Sequence, residues 1–187
     1  MTNRELLEAN NFFVVRDFIH QDGAEMIAND FKKYCITNFA KAKPDRYVPG
    51  SPAVYGHDAI QAILLTKIFY MNDLVGERLY PTYCYARWYK TGAELHKHTD
   101  AEACEISVSV NLTGDEWPIY MTKPDGSSEG IVLKKGDAIV YKGAKSLHWR
   151  EKFNGKECVQ AFLHYVKIFG PNYHHAFDMV RNPQGSL

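Results

Sequence analysis

The hydrophobic period changes once along this 187-residue chain, near Leu79, and that change restricts the architectures open to it. Before it, apolar residues repeat as on a helix. Ile27, Phe31, Tyr34 and Cys35 share one helical face after the turn at Gln21-Asp22-Gly23. Ile60, Ile63, Leu64, Ile68 and Met71 form a second stripe, which Asp58 can cap and Gly76 can close as one helix. After Leu79 the period is that of a strand: Tyr83, Tyr85, Arg87 and Tyr89 alternate with Cys84, Ala86 and Trp88. Likewise, Ile106, Val108, Val110 and Leu112 alternate with Ser107, Ser109 and Asn111. Further strands are predicted at 118–122, 130–133, 138–141, 147–152 and 158–167, set apart by turn signals such as Lys123-Pro-Asp-Gly126 and Asn154-Gly155. An additional short strand is predicted at 11–18. Residues 37–56, with Pro44, Pro49, Gly50 and Pro52, read as a long loop, either a substrate-contacting lid or a plain surface excursion. Helices followed by many short strands predict an α+β fold with the helices packed on one face of a sandwich or barrel.

Length and composition suit one domain that buries roughly 70% of its unfolded surface. Lys and Arg number 22 and Asp and Glu 22, so no overall field attracts a nucleic acid or an anionic membrane. The longest apolar stretch, 60–71, is too short to span a bilayer. The first residues are charged rather than signal-like, and the four cysteines (Cys35, Cys84, Cys104, Cys158) form no C-x-x-C pair. These features lead to the expectation of a cytoplasmic protein with reduced thiols. Oligomeric state is not legible.

Chemistry concentrates in His98-Thr99-Asp100 and in His148, which stands inside Lys145-Ser-Leu-His-Trp-Arg150. Side chains one residue apart on a strand point the same way, so His98 and Asp100 can reach one cation, with His148 as a distant third donor. Two imidazoles and one carboxylate occupy one face of a metal and leave other positions open, which suits non-haem Fe(II) handling O2 better than a closed structural zinc. His96 lies on the same strand face. It is read either as a neighbour contacting substrate or the ligands, or as a plain surface histidine. A cupin-type site made of His96, His98 and His148 is the alternative, but it leaves Asp100 without a role. Ser107, Ser109 and Asn111 either point into a barrel and line a polar ligand or face solvent on a sandwich. His164 is expected as a packed, hydrogen-bonded barrel residue, with His20 and His57 at turns or caps and His174 and His175 in a tail.

Tyr89, Gly92, His98 and Asp100 resemble the Tyr-x-x-Gly … His-x-Asp segment of prolyl-4-hydroxylase-like Fe(II)/2-oxoglutarate-dependent dioxygenases. Lys134-Lys-Gly136-Asp137-Ala138-Ile-Val-Tyr141 is similar to the strand before their distal histidine, and 11–30 to their opening strand and helix. The resemblance implies a double-stranded β-helix, a distorted jelly roll, as a single domain over 1–187. Strand and helical support would occupy 1–78, the jelly-roll core 79–169 and a tail 170–187. It also implies Fe(II) on His98, Asp100 and His148, with 2-oxoglutarate and O2 as cosubstrates and ascorbate as an in vitro reductant. The products would be succinate, CO2 and a hydroxylated small molecule, amino acid or prolyl peptide. No catalytic residue is expected beyond the ligands. The far carboxylate of 2-oxoglutarate needs a cation, and here the chain departs from the family pattern, which places a basic residue where Glu157 and Cys158 stand. Arg150, on the inward face of His148, needs no register shift, whereas Lys156 needs a shorter hairpin. Tyr85 or Tyr89 would hydrogen-bond the cosubstrate. Arg87 would read a substrate carboxylate or pair with a buried acid, or else the aromatics are ordinary core and Arg87 snorkels outward; Trp117 would shape the substrate end, where relatives often carry Gly-Gly.

Overall fold

A computed structural model describes residues 1–45 and 47–181. The chain opens with helix α1 (Asn3–Asn10), which hydrophobic patterning does not predict. Its signal is a capping box: the Thr2 hydroxyl accepts from the Glu5 N–H while the Glu5 carboxylate accepts from the Thr2 N–H. Strand β1 (Phe12–Val15) and helix α2 (Gln21–Thr37) follow, with Ala24, Ala28, Phe31 and Cys35 forming the buried face of α2. The predicted single helix after residue 58 is two, α3 (Asp58–Thr66) and α4 (Ile68–Val75), broken at Lys67. His57, not Asp58, holds the N-cap position of α3, and Gly76 ends α4 at φ 68°, a left-handed conformation suited to glycine.

Inside the predicted loop lies one short strand, β2 (Ala53–Tyr55). The rest of the β framework is β3 (Leu79–Lys90), β4 (Leu95–His98), β5 (Ile106–Gly114), β6 (Ile119–Thr122), β7 (Ser128–Ile131), β8 (Ala138–Tyr141), β9 (His148–Arg150) and β10 (Glu157–Lys167). All pairings among the described residues are antiparallel. They build a six-stranded sheet in the order β1-β8-β5-β10-β3-β2 and a four-stranded sheet in the order β4-β9-β6-β7. The fold is therefore mixed α and β with two antiparallel sheets.

Period-2 alternation gives the large sheet two different faces. Val108, Val110, Val159, Ala161 and Leu163 pack against Ala28, Phe31, Ile60 and Leu64 of the helices. Burying each such aliphatic side chain is worth roughly 1.5–3 kcal/mol, so this layer holds the helices on the sheet. On the opposite face, Phe12, Ile139 and Tyr141 meet Ile119, Met121 and Ile131 of the small sheet. A further buried cluster, with Tyr89, Trp117, Phe153 and Cys158, packs beside this contact. Past β10 the chain turns back onto β3, where the Phe177 N–H donates to the Pro81 carbonyl at 2.7 Å and a short helix, α5 (Asp178–Arg181), follows. The remainder of the expected tail, 182–187, lies outside the described residues. Among the described residues no helix is long and apolar enough to cross a membrane, and all four cysteines are free and buried.

Candidate metal centre

Strand register brings the three sequence-nominated donors together. β4 and β9 are neighbours in the small sheet with His98 directly opposite His148, and their ring centroids are 4.2 Å apart. Asp100 follows two residues after His98, and its Oδ1 lies 3.5 Å from the Nε2 of each imidazole. One donor atom from each residue falls within 4.8 Å of the others, a triangle that can face one ion.

The backbone fixes which nitrogens face inward. His98 Nδ1 lies 2.8 Å from the His96 carbonyl and His148 Nδ1 2.9 Å from the Ser146 carbonyl. A carbonyl only accepts, so both Nδ1 atoms carry the proton and both Nε2 lone pairs point at the shared corner. Asp100 is held from behind. Ser107 Oγ donates to its Oδ2 at 2.9 Å, and the Asp100 N–H donates to the Gly143 carbonyl at 2.9 Å. Oδ1 is thereby left for the ligand side.

Gly143 is part of this support. A Cβ there would lie 2.5 Å from Ser107 Oγ and 2.6 Å from Asp100 Oδ2, and would also collide with the Cys104 carbonyl. Gly143→Ala is expected to push Asp100 off its position and weaken divalent-metal affinity by about 10–100-fold, the range typical of disturbed outer-shell support. Calorimetric titration with Ni(II) or Co(II) checks this.

Charge follows the same geometry. Burial acts to raise the Asp100 pKa, but the neighbouring imidazoles, His98 foremost, and the Ser107 hydroxyl outweigh it and hold the carboxylate ionised far below its usual range. Burial acts to lower the His98 pKa, yet Asp100 and the His96 carbonyl leave it raised; at the more deeply buried His148 burial wins and the pKa is lowered. Metal must displace protons from these imidazoles. As pH is lowered, affinity should therefore start to fall while the pH is still above the ordinary imidazole value of about 6.5, first with a one-proton slope from His98. Below that value, as His148 also titrates, the slope should steepen towards two. Metal titrations between pH 5 and 8 test the order, and a slope fixed at zero would contradict it.

The triad opens into a cavity of about 540 Å³ between the two sheets. Arg150 reaches it two residues beyond His148, only 2% exposed. Its Nη1 donates to the Trp117 carbonyl and its guanidinium carbon lies 5.0 Å from the Trp117 ring centre, but Nη2 is buried with no hydrogen-bond partner. No carboxylate among the described residues pairs with Arg150. A buried cation without a counter-charge is costly, and a bound anion would relieve that cost.

Other nominated residues divide into those at the cavity and those placed elsewhere. Tyr85, Tyr89 and Arg87 line it, and Arg87 is buried rather than snorkelling outward and pairs with an acid, Asp45. Ser107 touches Asp100 rather than the cavity. Ser109 and Asn111 do point inward but lie deeper, where Gln160 and the Leu133 carbonyl satisfy them, so they are not cavity-lining groups. Trp117 is likewise not on the cavity wall; it packs beneath Arg150 and between Tyr89 and Phe153. Lys156 is exposed in the turn before β10, with its N–H on Asp115, because the hairpin is not shortened and the inward position falls to Cys158. The His96 side chain is 81% exposed, 3.5 Å from Glu94, and only its carbonyl serves the triad. Sequence reasoning does not single out Tyr141, Cys104 or Asp45 as cavity residues, nor does it place His164 there. Period-2 alternation flags an inward Tyr141 and His164, but not their depth.

No family model and no curated protein matches this sequence. Solved structures do match its fold. A prolyl-4-hydroxylase from Pseudomonas putida superposes with a TM-score of 0.70 at 15% identity, over 87% of this chain and 96% of that one. HygX from Streptomyces hygroscopicus, solved with nickel and 2-oxoglutarate bound, gives 0.70 at 10% identity, over 88% and 86%. SnoN, a non-haem α-ketoglutarate-dependent epimerase from nogalamycin biosynthesis, gives 0.72 at 12% identity, over 88% and 80%. The fold is that of 2-oxoglutarate-dependent non-haem enzymes.

Proposed function

We propose that this chain is a single-domain, Fe(II)- and 2-oxoglutarate-dependent hydroxylase built on a double-stranded β-helix. The observation that carries the reading is a three-donor metal face and an unpartnered buried guanidinium sharing one cavity. Both fit the cofactor set. Two imidazoles and a carboxylate with open positions suit Fe(II), and a planar cation with a free Nη2 suits the far carboxylate of a keto acid. Bound iron, with 2-oxoglutarate and O2, would supply the oxidative chemistry: substrate C–H, O2 and 2-oxoglutarate give C–OH, succinate and CO2.

The chain's own part is positioning. His98, Asp100 and His148 occupy one side of the ion and leave the cavity side free. Ser107 keeps Asp100 aimed, and the two carbonyl-bound Nδ1–H groups keep the imidazoles aimed. Arg150 fixes the keto acid, and the surrounding tyrosines and Phe162 keep bulk water from the reacting carbon. The substrate is a small molecule or a peptide segment. Solved relatives of the fold that hold iron or nickel and 2-oxoglutarate support the cofactors, while the epimerase among them shows that the fold alone does not dictate hydroxylation. The cupin set His96, His98 and His148 is disfavoured by the outward turn of His96.

The test is succinate production from 2-oxoglutarate by purified protein with Fe(II), O2 and ascorbate, in parallel with 2-oxoglutarate binding under anaerobic conditions. Binding and turnover that vanish in Asp100→Ala support the proposal. A protein that binds Fe(II) yet shows no affinity for 2-oxoglutarate would sink it.

A further inference from the structure

Arg87 is the second buried cation in the cavity, and its partner is unusual. It projects inward from β3 with its guanidinium carbon 5.3 Å from the Tyr85 ring centre and 5.7 Å from that of Tyr89. Its Nη1 lies 3.1 Å from Asp45 Oδ1 and its Nη2 donates to Asp45 Oδ2, while the Tyr85 hydroxyl donates to the same Oδ2 at 2.9 Å. A fork-shaped cation plus a phenol thus grips both oxygens of one carboxylate. The grip belongs to the rigid sheet, but the carboxylate does not. Asp45 comes from the segment between α2 and β2; its side chain is 21% exposed against 5% for Arg87.

We propose that Arg87 and Tyr85 form a carboxylate-binding subsite for the substrate, filled by the chain's own Asp45 until a substrate carboxylate takes its place. The exchange is energetically undemanding at the cation. One carboxylate replaces another, so the buried guanidinium is never left unpaired, and the cost is confined to moving the Asp45 segment. The same wall indicates what accompanies the carboxylate. Tyr55 packs on Tyr83 and Tyr85 with ring centroids 5.5 and 4.6 Å away, and Tyr85 packs on Phe162 at 5.9 Å. Such a surface suits a flat apolar group. The substrate class is therefore a small carboxylic acid with an aromatic or similarly flat body, rather than the interior of a peptide. That assignment of substrate rests on the oxygenase reading above; the subsite itself needs no metal.

The probe is phenylacetate, with neutral phenylacetamide as its control, titrated calorimetrically into metal-free protein. Wild type is expected to bind phenylacetate and not the amide. Asp45→Asn, which keeps the shape but removes the competing charge, should bind phenylacetate about tenfold more tightly, equivalent to about 1.4 kcal/mol. Arg87→Gln should lose binding, and phenylacetate should speed tryptic cleavage of wild type at Lys41, four residues before Asp45. Equal binding of acid and amide, or no gain in Asp45→Asn, overturns the proposal, and both readings survive a failure of Arg87→Gln to fold. Arg150→Met separates this from the cofactor assignment: it should spare phenylacetate binding and abolish 2-oxoglutarate binding. Loss of 2-oxoglutarate binding in Arg87→Gln but not in Arg150→Met would overturn the proposal by making Arg87 the cosubstrate anchor.

Discussion

Replacing Asp100 with alanine is expected to abolish Fe(II) binding and turnover, whereas replacing His96 should leave both close to wild type. The difference arises from position. Asp100 brings the anionic charge to the face, with Oδ1 3.5 Å from each neighbouring Nε2, and no other carboxylate in the cavity stands in that place. Its loss leaves two neutral imidazoles, which hold Fe(II) weakly. The fall should exceed the roughly 10–100-fold that follows disturbance of an outer-shell partner. His96 contributes a backbone carbonyl, which survives any side-chain change, so His98 keeps its orientation. Asp100→Asn is the sharper control. It preserves size and keeps an oxygen donor but removes the charge, so an intermediate affinity would apportion the effect between charge and geometry. Metal titration followed by circular dichroism on each variant separates loss of the site from loss of the fold. If His96→Ala strips the metal while Asp100→Ala retains it, the ligand set is the cupin one instead.

Much of this site is readable in the sequence for a local reason. His98 and Asp100 are one residue apart on an extended segment, and the turn at Lys142-Gly143 sets up the return to His148 without any knowledge of the rest. What lies beyond that depends on register. Alternation shows that Ser107, Ser109 and Asn111 share a face, but only the pairing of β5 with β10 shows that Gln160 takes up Ser109 and Asn111. Lys156 follows the same logic: one residue of hairpin length decides whether a side chain at that point faces the cavity or solvent. The break at Lys67 escapes periodicity because Ile63, Leu64, Ile68 and Met71 keep their spacing across it. β2 is hidden by Pro52 and by its length of three residues. Asp45 could not be found by pattern at all, since its role comes from a loop contact with a strand residue 42 positions away.

Arg150→Met should eliminate 2-oxoglutarate binding while leaving the fold as stable as wild type, or more so. The guanidinium is 2% exposed, its Nη2 has no partner and no carboxylate among the described residues balances it. Burial accordingly lowers its pKa, against smaller opposing influences from Cys158 and the nearby tyrosines. The ligand-free protein therefore carries an uncompensated desolvation cost, and an apolar side chain of similar length removes it. Among the described residues, the guanidinium hydrogen-bonds through Nη1 to the Trp117 carbonyl, and the Trp117 ring keeps its own bond to the Glu151 carbonyl at 2.8 Å. With 2-oxoglutarate the balance reverses. Truncating one partner of a buried charge pair costs about 2–5 kcal/mol, a loss of roughly 30- to 5,000-fold in affinity. Thermal melts with and without 2-oxoglutarate read both halves at once, because a ligand that binds only the native state raises Tm by mass action. Wild type should show that rise and Arg150→Met should not. Arg150→Lys should fall between, since an ammonium keeps the charge but cannot bond the carboxylate twice. Lys156→Ala, altered at an exposed turn, should behave as wild type. If the Met variant keeps the 2-oxoglutarate rise, Arg150 does not anchor the cosubstrate, and its unpartnered Nη2 belongs to some other anion.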